Sequence, residues 1–376
     1  MANNVQRLAR LGQSIWLDFI ERRMLSDGRL DALIAEGLLG MTSNPTIFEK
    51  AISKSGDYDD SLRRLARQGA SAEEVCDAVF REDVGAAADR FRPVYERTGG
   101  ADGFVSIEVS PLLAHDTDAT IGEARRLWRE LARPNVMIKI PATREGLPAI
   151  EEALADGINV NVTLMFSMRH YEDVVEAYLR GLERRAKEGA PLDRIASVAS
   201  FFVSRVDVLL DEKLAALAKA GGARGERASA LLGKAGVANS KRVYRRFGEL
   251  FSGERFERLA ARGARRQRVL WASTSTKNPA YPDTLYVDTL IGPDTVNTVP
   301  PETWEAILDH VRVDRTVDVD LEASDRAVSG LAELGFDLVE IGEQLSREGV
   351  DKFAKSFESL LGAIEDKRRA FARGAG

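Results

Sequence analysis

Short apolar segments alternate with amphipathic helical patterns along most of the chain. Helical stretches such as 119–132 and 146–157 separate successive apolar segments, and this alternation is typical of parallel sheets built from βα units. Eight segments have the length of strands: 14–20, 37–45, 103–109, 136–142, 158–166, 197–203, 268–273 and 284–291. Because eight strands close a βα barrel, the pattern predicts an α/β fold of the (β/α)8 TIM-barrel type. The alternative is a doubly wound open sheet. In this sequence, however, the G-x-G-x-x-G motif of the dinucleotide-binding form of that fold does not follow the first segment.

Two regions extend beyond a simple barrel. The segment at about 46–101 predicts a helical insertion after the second strand, and amphipathic patterns at 331–345 and 350–369 predict carboxyl-terminal helices within about 323–372. Between Ser273 and Thr284 there are too few residues for a full crossover helix, so either the seventh helix is a stub or the eighth strand is misplaced. We expect residues 1–376 to form one barrel domain that carries these additions.

Polar residues interrupt the apolar segments at positions that should face the barrel axis. Asp18, Glu108 and Lys139 each stand between two apolar neighbours, and alternation along a strand turns such residues inward. In the fifth segment the same alternation predicts Leu164 on the outer face. It gives a further inward set from the fifth and sixth segments: Asn159, Asn161, Thr163, Ser200 and Phe202.

The inward lysine and the two acids have a structural and a catalytic interpretation. A buried ion-pair network is the structural one, because such pairs also occur in protein cores. Barrel interiors are normally filled by branched apolar side chains, however, and active sites of these barrels lie at the carboxyl ends of the strands, where these residues fall. A neutral lysine amine attacks a ketose carbonyl to form an imine, and carboxyl groups can carry the protons. The lining therefore favours a catalytic lysine.

Composition narrows the classes of partner. The 53 lysines and arginines against 59 acidic residues give a formal charge of -6, which provides no basic field for nucleic acid. We interpret the basic run at 262–268 as a solvated helix end. A single cysteine, Cys76, excludes an internal disulfide and indicates a reducing compartment, so we expect a cytoplasmic protein. No apolar run is long enough for a membrane span, and the three histidines lack metal-ligand spacing, so we expect no metal and no membrane partner.

Four motifs, in their order and spacing, resemble the transaldolase family. They are TSNPTIF at 42–48, VMIKIPAT at 136–143, GINVNVTLMFS at 157–167 and SFFVSRVD at 200–207. The resemblance extends from about Ile15 to Asn278, and more weakly over the last helices. It implies the same barrel, an enzyme without a cofactor, and sugar phosphates as substrates, in a monomer or a homodimer.

The resemblance also implies roles for individual residues. Lys139 would be the Schiff-base nucleophile, and Asp18 would take the donor hydroxyl proton as the carbon bond breaks. Glu108 would work with Thr163, through water, on the protons of imine formation. The residues that would contact the sugar and its phosphate are Asn44, Asn161, Ser200, Phe202 and Arg205.

The chain departs from the family pattern near the phosphate. After the seventh strand it reads ASTSTKN, so Lys277 would replace a second phosphate-binding arginine after a two-residue insertion. A lysine keeps the charge but presents a point charge rather than a bidentate fork. Ser204 and Phe201 stand where glycine and proline are common in the family.

The expected reaction is that of a transaldolase in the non-oxidative pentose phosphate pathway. A dihydroxyacetone unit would pass from sedoheptulose 7-phosphate to glyceraldehyde 3-phosphate, which yields erythrose 4-phosphate and fructose 6-phosphate. Two alternatives remain open from the sequence: a lyase similar to fructose-6-phosphate aldolase, which shares the lysine, and a sugar-phosphate-binding barrel without catalytic activity.

Overall fold

Eight parallel strands close into a barrel in chain order in the computed structural model, which describes residues 2–373. Each strand pairs with the next, and the last pairs with the first. The strands are β1 Gln13–Asp18, β2 Gly40–Thr42, β3 Phe104–Glu108, β4 Val136–Pro141, β5 Val160–Met165, β6 Ser197–Phe202, β7 Arg268–Ala272 and β8 Thr295–Val299. The predicted (β/α)8 barrel is therefore confirmed.

The position predicted for the eighth strand is wrong. Residues 285–288 form a short helix, and β8 begins seven residues later, at Thr295. The hydroxyl of Tyr286 donates a hydrogen bond of 2.8 Å to the carboxylate of Asp207, which holds this helix outside the sheet. The true strand, TVNTV, contains three polar residues among its five, and these buried groups form hydrogen bonds inside the fold. One example is the bond of 2.8 Å that Thr274 Oγ1 donates to Asn297 Oδ1.

Helices surround the barrel and also form the two predicted additions to it, the insertion after β2 and the carboxyl-terminal segment. Between β2 and β3 lie three helices, within residues 45–97, as predicted for the helical insertion. The helices up to β7 are α1 Asn4–Arg10, α2 Arg22–Ser26, α3 Arg29–Glu36, α4 Pro45–Lys54, α5 Asp59–Arg67, α6 Ala72–Arg97, α7 Thr117–Leu131, α8 Gly146–Ala155, α9 Met168–Lys187, α10 Ser204–Ala220, α11 Gly222–Ser229, α12 Ala235–Leu250 and α13 Glu254–Ala260. Those after β7 are α14 Leu285–Asp288, α15 Pro301–His310, α16 Leu321–Glu333 and α17 Leu338–Arg373.

The carboxyl-terminal helices exist as predicted, but their boundaries differ. Gly335, with a φ of 90°, separates α16 from α17, so the predicted helix at 331–345 is divided. The predicted break before residue 350 is absent, because α17 continues through it to Arg373. This long helix packs against α4, α5 and α6 and against β5, so it joins the insertion to the carboxyl ends of the strands.

The inside of the barrel is apolar below the level of the charged residues. Trp16, Phe104, Met137, Val198, Leu270 and Val296 are buried together in one cluster and stand two residues before the strand ends or further back. Gly40 makes room for this layer, since a Cβ atom there would lie 2.6 Å from the Trp16 ring. Below the charged residues at the carboxyl ends of the strands, the barrel is thus a packed core.

At the amino-terminal end of the strands a buried aspartate joins three partners. Asp102 accepts hydrogen bonds from Ser14 Oγ at 2.8 Å and Trp16 Nε1 at 3.1 Å, and Arg268 lies 3.0 Å away. Arg265 donates to the carbonyls of Gly99 and Gly100. The basic run at 262–268 is therefore only partly a solvated helix end, because these two arginines close the base of the barrel.

Loss of Arg268 should destabilise the fold. Arg268→Ala leaves Asp102 buried without its cation, so we expect the free energy of unfolding in urea to fall by about 3 kcal/mol. Arg266→Ala is the matched control, since the pair of Arg266 with Asp294 is about half exposed and should contribute less than about 1 kcal/mol. Equal losses in the two variants would contradict a structural role for the Asp102 cluster.

Across residues 2–373, no helix combines the length and apolar character needed to cross a membrane.

Candidate active site

A cavity of about 1240 Å³ opens at the carboxyl ends of the barrel strands. Nine of the ten side chains predicted as site residues line it: Asp18, Asn44, Lys139, Asn161, Thr163, Ser200, Phe202, Arg205 and Lys277. The tenth, Glu108, lies beside Lys139 and is buried behind it. The structure thus brings all ten residues together, although Asp18 and Lys277, the first and last of them, are 259 positions apart in the sequence.

Lys139 forms a buried pair with Glu108 because the two stand opposite each other on β4 and β3. Lys139 Nζ lies 3.3 Å from Glu108 Oε2 and donates to the carbonyl oxygen of Ser43 at 3.3 Å. The side chains are 7% and 5% exposed, so water hardly screens the pair. Burial raises the pKa of Glu108; the charge of Lys139 opposes this shift and that of Asp18 adds to it. A carboxyl group that holds its proton more strongly than usual is suited to proton transfer.

A chain of hydrogen bonds fixes the amide of Asn161 under the lysine. Ser200 Oγ donates to Asn161 Oδ1 at 2.7 Å, and Asn161 Nδ2 donates to Ser106 Oγ at 3.0 Å. Thr163, two residues further along β5, has a buried hydroxyl with no hydrogen-bond partner within the described part of the chain. The strand beside that of the lysine therefore offers one oriented amide and, within the described residues, one unpartnered hydroxyl.

Asp18 and Asn44 approach the cavity from β1 and from the start of α4. Thr42 Oγ1 donates to Asp18 Oδ1 at 2.8 Å, which orients this half-buried carboxylate. Asn44 is the N-cap of α4, and its side-chain oxygen accepts from the Ile47 amide at 3.1 Å. Because the side-chain oxygen of Asn44 is used to cap α4, its side-chain nitrogen is the group that remains to donate a hydrogen bond to a substrate.

Arg205 lies at the amino-terminal end of α10, which begins directly after β6. Its guanidinium stands over the ring of Phe202, 4.9 Å from the ring centre, and 5.9 Å from the ring centre of Phe353. Burial lowers the pKa of Arg205, and the charges of Asp18 and Glu108 oppose this shift. A helix start that carries an arginine is a favourable place for an anion. Lys277 is exposed at the rim of the same cavity and donates to Ser275 Oγ.

Two residues near the carboxyl ends of β5 and β7 have left-handed backbone conformations. Leu164 has a φ of 64° and Ser273 a φ of 56°, and the pairing of β5 with β6 shifts register between Val162 and Met165. The predicted outward position of Leu164 is therefore wrong, because the alternation of β5 ends at Thr163. Leu164 packs instead in the cluster that includes Phe202 and reaches α17 at Gly349. Each such conformation costs about 1–3 kcal/mol and is retained where the surroundings enforce it.

Several lining residues were missed by the sequence analysis. Phe353 and Lys352 come from α17, and Lys50 comes from α4. Phe353 lies within the amphipathic pattern at 350–369, which predicts a helix but contains nothing to indicate that this helix crosses the open end of the barrel. Thr42, by contrast, belongs to the quoted motif TSNPTIF and lies one strand away from Asp18, so register could have identified it.

In the range 2–373, no group of three or more histidine, cysteine, aspartate or glutamate side chains is arranged to hold a metal ion. The groups that the cavity does present are lysine amines, carboxyl groups, hydroxyls, amides and an arginine.

Comparisons with known proteins agree over nearly the whole chain. The family model that matches residues 15–364 describes transaldolase/fructose-6-phosphate aldolase. A protein from Saccharopolyspora erythraea named transaldolase is 48% identical over 97% of this chain and 98% of its own length. One from Acidothermus cellulolyticus, also named transaldolase, is 50% identical over 97% and 96% of the two chains. A transaldolase from Trichodesmium erythraeum is 44% identical over 98% of each.

Proposed function

The chain belongs to the transaldolase/fructose-6-phosphate aldolase family, and we propose that it is a transaldolase that works through a Schiff base on Lys139. The donor is a ketose phosphate, such as sedoheptulose 7-phosphate or fructose 6-phosphate, and the acceptor is an aldose phosphate. The observation that carries the mechanism is a buried amine, 3.3 Å from a buried carboxyl group, at the wall of a cavity large enough for a sugar phosphate.

Imine formation requires an amine and a route for protons. Lys139 Nζ attacks the ketone carbon of the donor, and the carbinolamine then loses water. Glu108 supplies a proton to the leaving hydroxyl, in agreement with the raised pKa that burial gives its carboxyl group. We propose that Thr163, whose buried hydroxyl has no partner among the described residues, holds the water that passes between them.

Bond cleavage requires a base on the other side of the donor. Asp18 takes the proton of the hydroxyl group next to the breaking carbon bond, and the iminium of Lys139 accepts the electron pair. The aldose phosphate leaves and a three-carbon enamine stays on the lysine. The enamine then attacks the aldehyde of the acceptor, the proton returns from Asp18, and hydrolysis of the new imine frees Lys139.

The remaining side chains hold the sugar. Asn161 and Ser200 form a rigid hydrogen-bonded pair that can meet substrate hydroxyls, and Asn44 adds an amide from the opposite side. Phe202 lies beside the sugar and beneath the guanidinium of Arg205. We propose that Arg205 and Lys277 bind the phosphate group, Lys277 from the rim.

Arg205→Ala should weaken binding of phosphorylated sugars selectively. A charge-assisted hydrogen bond contributes about 1.5–3 kcal/mol, so we expect KM for fructose 6-phosphate to rise about tenfold to a hundredfold. Lys277→Ala should raise it less, by about threefold to tenfold, because its charge is exposed. Steady-state kinetics with fructose 6-phosphate and with unphosphorylated fructose make the comparison. If Lys277→Ala leaves the preference for the phosphorylated donor intact, the two-residue insertion after the seventh strand has moved Lys277 out of the site.

Analysis of the products separates this function from its alternatives. With fructose 6-phosphate and erythrose 4-phosphate, a transaldolase forms sedoheptulose 7-phosphate and glyceraldehyde 3-phosphate. A lyase would release free dihydroxyacetone, and a binding barrel would form no product. We expect transfer with little free dihydroxyacetone, which the names of the near full-length relatives also support.

We also propose that residues 1–376 act as one catalytic domain in the cytoplasm. Its single cysteine and its phosphorylated substrates support this location.

A further inference from the structure

The carboxyl-terminal helix α17 approaches the reactive groups closely. A Cβ atom on Gly349 would lie 2.8 Å from Leu164 Cδ2 and 3.5 Å from Arg205 Nη1, so glycine lets the helix pass directly over both side chains. One turn later, the ring of Phe353 has its centre 5.7 Å from Lys139 Nζ and 5.9 Å from the guanidinium carbon of Arg205. The helix therefore spans the distance between the proposed nucleophile and the proposed phosphate site.

Lys352 stands between these two residues on α17 and lines the same cavity. Partial burial lowers the pKa of the otherwise exposed Lys352, and the positive charges of Arg205, Lys277 and Lys50 lower it further. The four cations come from α4, α10, α17 and the segment after β7. The fold brings these four cations together, because no single sequence motif contains all of them.

Within residues 2–373, these cations make no ion pair with a carboxylate. Among the residues described, the ion pairs made by lysine are Lys139 with Glu108 and Lys367 with Asp59, so Lys50, Lys277 and Lys352 contribute none. Carboxylates do line the cavity, but none lies within 4.0 Å of these three amines or of Arg205. Because no direct ion pair in the described part of the chain holds these four cations, their donor groups remain available to a dianion in the cavity.

We propose that Lys352 is a specificity-determining residue that binds the phosphate group of the sugar together with Arg205. This inference deepens the proposed function and rests on it. Lys352 reaches the cavity from the helix that Gly349 allows to lie against Arg205, and Lys50 adds charge from α4. The insertion and the carboxyl-terminal helix thereby complete the phosphate site of the barrel.

The test compares Lys352→Gln with Lys355→Gln. Both substitutions remove one exposed positive charge from α17, but Lys355 lines only a neighbouring surface cavity, whereas Lys352 lines both that cavity and the proposed active site. For Lys352→Gln we expect KM for fructose 6-phosphate to rise about fivefold to twentyfold, with kcat within about twofold of wild type. Inorganic phosphate, used as a competitive inhibitor, should bind more weakly by a similar factor. Lys352→Arg should restore most of the affinity, and Lys355→Gln should resemble wild type.

The results separate this inference from the proposed function. If borohydride traps no imine on the wild-type protein with fructose 6-phosphate, the proposed function is wrong. If wild type is trapped and transfers the donor unit, but Lys352→Gln keeps wild-type KM and wild-type inhibition by phosphate, the role of Lys352 is wrong and the function stands. Equal effects of the Lys352 and Lys355 variants would also overturn it, because net charge alone would then explain both.

Discussion

Lys139→Ala is expected to lower kcat by about ten-thousandfold or more, because no other amine in the cavity wall is both buried and paired with a carboxyl group. Without the amine no imine forms, and the later steps have no electron sink. Transfer between fructose 6-phosphate and erythrose 4-phosphate measures the loss. Substrate affinity should change far less than kcat, since the phosphate-binding residues remain.

The variant needs a control for folding, because it leaves Glu108 buried without its cation. Lys241→Ala is a matched control. Lys241 is also a buried lysine, its Nζ donates to the carbonyl of Val319 at 2.7 Å, and it does not line the cavity. We expect Lys241→Ala to lower thermal stability but to keep its activity. If Lys139→Ala folds and retains more than about one hundredth of wild-type kcat, Lys139 is not the nucleophile.

Asp18→Asn and Glu108→Gln should each lower turnover by about a hundredfold to ten-thousandfold, but at different steps. Asp18→Asn keeps the hydrogen bond from Thr42 and removes the base, so the imine should form and the carbon bond should persist. Glu108→Gln removes the buried acid beside the amine, so imine formation itself should slow. Rapid-quench trapping with borohydride measures the first step, and release of glyceraldehyde 3-phosphate measures the second.

The pH dependence of imine trapping gives a second test of the separate roles assigned to Asp18 and Glu108. Because burial raises the pKa of Glu108, its carboxyl group stays protonated at a higher pH than an exposed glutamate. The rate of trapping should therefore fall as pH rises through this elevated pKa, and Glu108→Gln should remove that decline. If the two variants slow the same step equally, or if the decline persists without Glu108, the assigned roles are wrong.

Much of the proposed site could be predicted because strand alternation is a strong rule within a barrel. Lys139, Glu108 and Asp18 each follow apolar residues of the same strand, and parallel register brings the first two opposite each other. Alternation was wrong at Leu164, where the backbone turns left-handed and the pattern of β5 ends. It also missed β8, since TVNTV places buried threonines and an asparagine where a core strand is expected to be apolar.

The contribution of α17 could not be predicted from the sequence, because it depends on how distant elements pack. The amphipathic pattern of α17 identifies an apolar face but not the surface that this face covers. Gly349 has no distinctive local signal, and its importance emerges only from its distances to Leu164 and Arg205.

Mass analysis after borohydride reduction with fructose 6-phosphate tests the central claim most directly. Attack by Lys139, cleavage and reduction would leave a three-carbon, dihydroxyacetone-derived adduct on the protein. We predict one such adduct per chain, located by peptide mapping on the peptide that contains Lys139 and absent from Lys139→Ala. An adduct on any other lysine, or no adduct on a folded protein, would contradict the account.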